Sequence, residues 1–184
     1  MVWYFRIDGE IELKAQEPSD AEAFFLLLDG SREFVAKWMD WVDDMKSIDD
    51  MNKSIGEALE RFTTRNGLSV GIWFKGEPAG VINLWGADSD ARYAYISYWI
   101  GWQFQGLGLV TRSCPALLDY AFRELGLNRV EIRCADENLK SRAIPERLGF
   151  KLEGQIRDCI KHADRYYDEL VFGMLAKEWN ERSR

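Results

Sequence analysis

The chain reads as a single α/β domain spanning residues 1–184, a mixed sheet with helices on its faces. Three observations predict this. Apolar residues recur at helical spacing through the N-terminal third, the period changes to that of strands from Leu68, and strand, glycine loop and helix follow one another between Tyr93 and Leu125. With 184 residues, 47% of them hydrophobic and 30% charged, the chain can bury one sizeable core and does not divide comfortably into two.

Residues Val2 to Lys14 alternate loosely around Gly9 and read as one or two short strands. Pro18 opens an amphipathic helix with Ala21, Phe24, Phe25 and Leu28 on its apolar face, and Asp29-Gly30 stops it. A short helical piece through Phe34 and Trp38 follows. Met51, Ile55, Ala58, Leu59 and Phe62 then mark a longer helix, with Asp49 or Asp50 as expected caps and Asn66-Gly67 as terminator. Val70–Phe74 and Gly80–Trp85 form a predicted hairpin around Lys75-Gly76-Glu77-Pro78. Tyr93–Trp102 is an aromatic, β-branched strand, and Val110–Leu125 is a helix carrying Pro115, a kink wherever it falls past the first turn. Arg129–Ala135 is a strand, Leu139–Leu148 a helix, and Phe150–Ile160 with Tyr166–Leu175 a terminal strand pair. No repeat or low-complexity segment interrupts the order.

The composition narrows the function. Cys114, Cys134 and Cys159 are odd in number and widely spaced, so neither a disulfide framework nor a metal site is expected, and a reducing cytoplasm is the simplest compartment. No basic stretch followed by an apolar run opens the chain, and the longest apolar run, Ala23–Leu28, is far below a membrane span. Neither secretion nor membrane insertion is expected. The net charge of −7 disfavours direct nucleic-acid binding and suits a cationic partner.

Gln103-Phe104-Gln105-Gly106-Leu107-Gly108 lies between a strand and a helix, where glycines let the backbone approach a ligand and free N–H groups face an anion. Glycine-rich turns of this kind also arise for steric reasons alone. The loop lacks the Lys-Ser/Thr ending of a P-loop and the third glycine of a dinucleotide fingerprint. Glu131 stands where that fingerprint's ribose-binding acid would, but reads better as a surface-facing strand residue.

The order Gln103-x-x-Gly106-x-Gly108 after an aromatic strand resembles the acetyl-CoA-binding motif of the GNAT acetyltransferases, Q/R-x-x-G-x-G/A. Asn138-Leu139-Lys140-Ser141 followed by Glu146-Arg147-Leu148-Gly149-Phe150 is similar to the second signature of that superfamily, in its RimL-like ribosomal-protein N-acetyltransferase branch. Trp38-Met39-Asp40-Trp41, Tyr98-Trp99-Ile100-Gly101 and Tyr167-Asp168 extend the likeness over nearly the whole chain. It implies a mostly antiparallel sheet splayed at an acetyl-CoA cleft, a homodimer, and an amine acceptor such as a ribosomal-protein N-terminus. It also implies that the backbone of Trp99 and Ile100 pairs with the pantetheine arm, that amides from Phe104 through Leu109 hold the pyrophosphate, that Asn138 bonds the cofactor arm and that Ser141 sits near the sulfur. One departure is plain: the branch often carries Glu-x-Gly-Tyr-Trp where this chain has Tyr95-Ile96-Ser97-Tyr98-Trp99.

Transfer from a thioester needs a neutral amine, a donor for the developing oxyanion and a proton for the leaving thiolate. The expected parts are direct attack by the amine, an N–H of Trp99 or Ile100, and Ser141 as proton donor, against a plain reading of Ser141 as a first-turn hydroxyl. Asp168 or Glu169 are the candidate bases, with ordinary strand-end charges as the alternative. His162, the one histidine, reads as an exposed strand residue, and Cys134 as a buried hydrophobe rather than an acyl carrier. Five aspartates between Asp40 and Asp50, beside Trp38 and Trp41, suit a cationic substrate or a solvated loop. Small-amine acetylation, a non-catalytic acetyl-CoA sensor and a nucleotide-binding domain remain as competing functions.

Overall fold

In the computed structural model, which describes residues 3–87, 90–162 and 164–182, the elements run β1 (Tyr4–Arg6), β2 (Ile11–Ala15), α1 (Ala21–Asp29), α2 (Arg32–Ala36), α3 (Ile48–Thr63), β3 (Gly67–Phe74), β4 (Glu77–Trp85), β5 (Tyr93–Ile100), α4 (Leu109–Asp119), β6 (Arg129–Ala135), α5 (Leu139–Arg147), β7 (Lys151–His162), β8 (Arg165–Leu175) and α6 (Ala176–Arg182). Val2, where the first strand was expected to begin, lies outside the described residues. The strands hydrogen-bond in the order β1-β2-β3-β4-β5-β6-β8-β7, a mixed, mostly antiparallel sheet flanked by helices. Parallel pairing of β5 with β6 runs from Tyr93↔Arg129 to Ile96↔Ile132. The chain forms two compact units, one up to Asn83 with Tyr98–Ala116, the other Leu84–Ser97 with Leu117–Arg184.

In the first unit, Asp8 turns the chain between β1 and β2: its Oδ1 accepts from the N–H groups of Glu10 (2.8 Å) and Ile11 (3.0 Å). Alternate residues Ile11, Leu13 and Ala15 of β2 are buried, as a strand with one covered face requires. Helix α1 buries Ala21, Phe24, Leu27 and Leu28, while Phe25, assigned to the apolar face from the sequence, is only partly buried. Gly30 follows the helix at φ −65, so the stop owes nothing to a left-handed glycine. Helix α2 ends at Ala36, short of Trp38. Arg32 then ties down the acidic stretch, donating to the carbonyls of Val42 (2.6 Å) and Met45 (2.7 Å).

Both ends of α3 differ from expectation. Ser47, not Asp49 or Asp50, is the N-cap: its hydroxyl accepts from the N–H of Asp50 (3.2 Å), and the Asp50 carboxylate accepts in return from the N–H of Lys46 (3.0 Å) and the Ser47 hydroxyl (2.8 Å). A serine hydroxyl is short enough to reach back to the first turn from an extended residue. At the other end Arg65 takes the left-handed conformation (φ 59), with Arg65 N–H donating to Phe62 and Asn66 N–H to Arg61, the Schellman pattern one residue earlier than Asn66-Gly67 predicts. The β3–β4 turn is likewise tighter than expected. Lys75 (φ 53) and Gly76 (φ 86) make a two-residue turn, and Glu77 and Pro78 already belong to β4.

In the second unit, β8 lies between β6 and β7, antiparallel to both. Glu131 corrects the sequence reading: it is buried, not surface-facing, because Arg129 (2.7 Å), Arg133 (2.8 Å) and the Tyr93 hydroxyl (2.9 Å) all donate to it. Burial alone would raise its pKa, but these donors outweigh it and hold the carboxylate below the usual glutamate range. Helix α4 contains Pro115 past its first turn and gives way to a π-helical turn over Tyr120–Glu124. The final helix, α6, has no counterpart in the sequence reading. Its Trp179 indole N–H donates to Asp119 (2.9 Å).

No helix among the described residues is long and apolar enough to cross a membrane.

Candidate functional site

Strand β5 ends at Ile100, two residues before the expected boundary, because Trp102–Phe104 winds into a 3-10 turn. The turn is anchored by Ser31, a buried hydroxyl 71 residues away, whose Oγ accepts from the N–H of Trp102 (3.1 Å). No local periodicity in the sequence marks such a partner. Phe104 packs edge-on against Phe74 (6.3 Å between ring centroids), which holds the loop's base. Two of the expected cradle donors are consumed here: Phe104 N–H donates to the Gly101 carbonyl (3.0 Å) and Gln105 N–H to that of Trp102 (3.4 Å). Of the amides from Phe104 to Leu109, these two are thus already paired within the turn.

Gly106 (φ 75) and Gly108 (φ 69) are both left-handed, a conformation that glycine takes without cost. A β-carbon on Gly106 would meet nothing within 4 Å, so this glycine is there for its backbone angle and not for want of space. Gly106, Leu107 and Gly108 are exposed, whereas Leu109 and Val110 are buried and seat the helix. Arg112 N–H donates to the Gly108 carbonyl (2.9 Å). In a helix the first-turn N–H groups, those of Leu109, Val110 and Thr111, have no partner within the helix and point out of its positive end. Exposed loop, left-handed glycines and outward amides are what a diphosphate needs, so the residues present fit coenzyme A.

Next to the loop, Trp99 is buried and Ile100 partly so, and Gln103 is exposed with its Oε1 lying over Gly101. Trp41, exposed at 36%, lies with its ring centroid 6.4 Å from that of Trp99. Asp40, Asp43 and Asp44 around it are exposed. The acidic segment thus belongs to the same unit as the glycine loop.

The second unit holds the other motif. Asn138 is the N-cap of α5, its Oδ1 accepting from Ser141 N–H (3.2 Å), so its acceptor serves the helix and its amide group remains a donor. Cys134 is buried at the end of β6. Burial pushes its thiol up to about 11, a shift that a hydrogen bond with the Ser141 side chain partly offsets. A thiol so held is a poor nucleophile. Asp168, the expected proton acceptor, takes hydrogen bonds from the N–H of Asp158 (2.9 Å) and the Gln155 amide (2.5 Å), across the irregular stretch of the β7–β8 ladder. These donors hold its carboxyl below the usual range, which makes it a weak base. Glu169 pairs with Arg133 (3.3 Å). His162 is partly exposed at the end of β7.

On the central strand, where the resemblance departs, Ser97 accepts from the indole N–H of Trp85 (2.7 Å) and Tyr95 stacks on the same indole (6.4 Å, 20°). Tyr95 and Ser97, two apart on one strand, thus hold the Trp85 indole between a stacked ring and a hydrogen-bonded hydroxyl.

The acetyltransferase (GNAT) domain family matches residues 10–151. The chain is 35% identical over 175 residues, 95% of its length and 96% of the relative's, to the "Putative ribosomal N-acetyltransferase YdaF" of Bacillus subtilis (strain 168). Among solved structures, it is similar to the microcin C7 self-immunity acetyltransferase MccE in complex with acetyl-CoA and AMP, at 29% identity and a TM-score of 0.85 over 92% of this chain and 94% of that one. A RimL ribosomal L7/L12 alpha-N-protein acetyltransferase in complex with coenzyme A shares the fold at a TM-score of 0.91 and 23% identity, over 96% of this chain and 99% of that one. The chain therefore belongs to the GNAT acetyltransferase family, and its class is that of the acetyl-CoA-dependent N-acetyltransferases.

Proposed function

We propose that this enzyme acetylates the N-terminal α-amino group of a protein, such as a ribosomal protein, as a cytoplasmic homodimer. The observation that carries the acceptor is the end-to-end likeness to a relative named for ribosomal N-acetylation. The chemistry agrees with it. An α-amine has a pKa near about 8, so roughly a tenth of it is neutral at pH 7, and it makes a small demand on a base. That suits a protein whose Asp168 carboxyl is held low.

Acetyl-CoA supplies the activated acyl group. In our reading the N–H groups from Gly106 to Thr111 hold its diphosphate, with Gln103 beside them. An N–H of Trp99 or Ile100 stabilises the negative charge that develops on the acyl oxygen. Asn138 donates to the cofactor arm, and the Ser141 hydroxyl carries the proton delivered to the departing sulfur. Asp168 takes no proton in this scheme; its carboxylate accepts from Gln155 and Asp158 and braces the β7–β8 ladder.

A second acceptor class, small polyamines, is favoured by the exposed Asp40, Asp43 and Asp44 beside Trp41. Thiol release from acetyl-CoA, followed with N-terminal peptides, polyamines and aminoglycosides, separates the two. Acetylation at peptide α-amines, located by mass spectrometry, is the expected result; turnover confined to polyamines would replace the first reading with the second. A folded protein that binds no coenzyme A would remove both.

A further inference from the structure

Arg112 is a cation placed where a cation is disfavoured. It is the fourth residue of α4, near the positive end of the helix, which repels it. Its Cδ lies 4.0 Å from the β-carbon position of Gly108, so its stem runs along the second glycine of the loop. Its guanidinium is held by two carboxylates of the β1–β2 turn, Asp8 and Glu10, the latter at 3.3 Å. Asp8 is itself fixed by the N–H groups of Glu10 and Ile11, which, with Arg112, hold its carboxyl below the usual range. None of the loop motifs in the sequence points to this residue.

We infer that Arg112 is a cofactor-binding residue that grips a phosphate group of coenzyme A, and that Asp8 and Glu10 are the internal anions it leaves to do so. The inference rests on the acetyl-CoA reading above and deepens it. Arg112 and both carboxylates are about a third or more exposed, and ion pairs that open to water are weak, so little is lost in the exchange. A phosphate offers more negative charge and matches the planar guanidinium with paired hydrogen bonds. Resting against Asp8 and Glu10, the side chain is kept beside Gly108 and loses less entropy when the phosphate arrives. Coenzyme A offers a diphosphate and a 3′-phosphate, and the experiment tells them apart.

Calorimetric titration of the full chain with coenzyme A and with 3′-dephospho-coenzyme A tests the inference without turnover. Arg112→Gln keeps the stem against Gly108 and removes the charge; it should weaken coenzyme A binding about tenfold or more. Loss for coenzyme A alone puts the guanidinium on the 3′-phosphate, and loss for both ligands puts it on the diphosphate; either supports the inference. Asp8→Asn with Glu10→Gln removes the competing anions, while the introduced asparagine retains an oxygen for the two turn amides, and should tighten binding severalfold. A residue that only props the β1–β2 turn would give no such tightening. Unchanged affinity in Arg112→Gln, or no tightening in the double variant, overturns the inference. Should the wild-type protein bind neither ligand, the cofactor reading itself fails, a result distinct from the other two.

Discussion

A β-carbon on Gly80 would stand 2.2 Å from the carbonyl oxygen of Trp99 and 2.9 Å from the Cα of Ile100. Strands β4 and β5 approach so closely here that backbone fills the space of a side chain. Gly101 N–H donates to the Ala79 carbonyl (2.9 Å) just beyond. Gly80→Ala should therefore cost about 2 kcal/mol or more of stability, because the obstacle is backbone and cannot rotate away. It should also weaken coenzyme A binding. Urea unfolding measures the first effect, and an unchanged midpoint would show that the strands have room to part.

Gly106 poses the opposite case, an open position with a left-handed backbone. Gly106→Ala should lower stability by only about 1 to 2 kcal/mol while reducing coenzyme A affinity, as the loop relaxes away from φ 75. Gly106→Asn, which tolerates the left-handed region, should retain more affinity than alanine. Equal affinities for both variants would count against a conformational role.

Ser141→Ala should lower kcat far more than it raises the Kd for acetyl-CoA, since the hydroxyl is assigned to the leaving sulfur. Loss of its hydrogen bond, which offsets part of the effect of burial, should also push the Cys134 thiol further up and slow alkylation of that residue. Steady-state kinetics and iodoacetamide trapping read the two effects separately. Unchanged turnover would leave Ser141 as a first-turn hydroxyl of α5 with no part in the transfer.

Glu131 makes a prediction about pH. Its folded pKa lies below its unfolded value, so its contribution to stability is complete above about pH 4.3 and is lost as pH falls through the lower, folded value. Glu131→Gln should destabilise the protein by about 2 kcal/mol at neutral pH, leaving Arg129 and Arg133 without their shared anion. The gap between wild type and variant should close as pH falls below the ordinary glutamate range and through the lower, folded value. A gap that stays constant with pH would mean that packing, and not charge, is what the carboxylate supplies.

Neutralising Asp43 and Asp44 to asparagine should raise KM severalfold for a basic peptide at low salt and leave KM for acetyl-CoA alone. The difference should vanish at high ionic strength, where exposed charges are screened. A KM that ignores both substitutions at low salt would make the segment a solvated loop, clamped by Arg32 for stability alone.

The succession of elements and the two motifs are legible in the chain alone. Helical and strand periods, the glycine loop between Tyr93 and Leu125, and the Asn138 to Phe150 signature are local patterns, written within a dozen or so residues of one another. Local chemistry also limited what could be read: the caps fell two or three positions off at Ser47 and one off at Arg65, where a serine outcompeted neighbouring aspartates and an arginine accepted a left-handed angle usually left to glycine. What distant residues do to one another emerges only on folding. Ser31 holds Trp102, Trp41 meets Trp99, Asp8 and Glu10 hold Arg112, and Glu131 is buried because Arg129, Arg133 and Tyr93 satisfy it. A charge on a strand is read as exposed until its partners are known, since burial of a carboxylate is tolerated only when donors from elsewhere in the fold replace water.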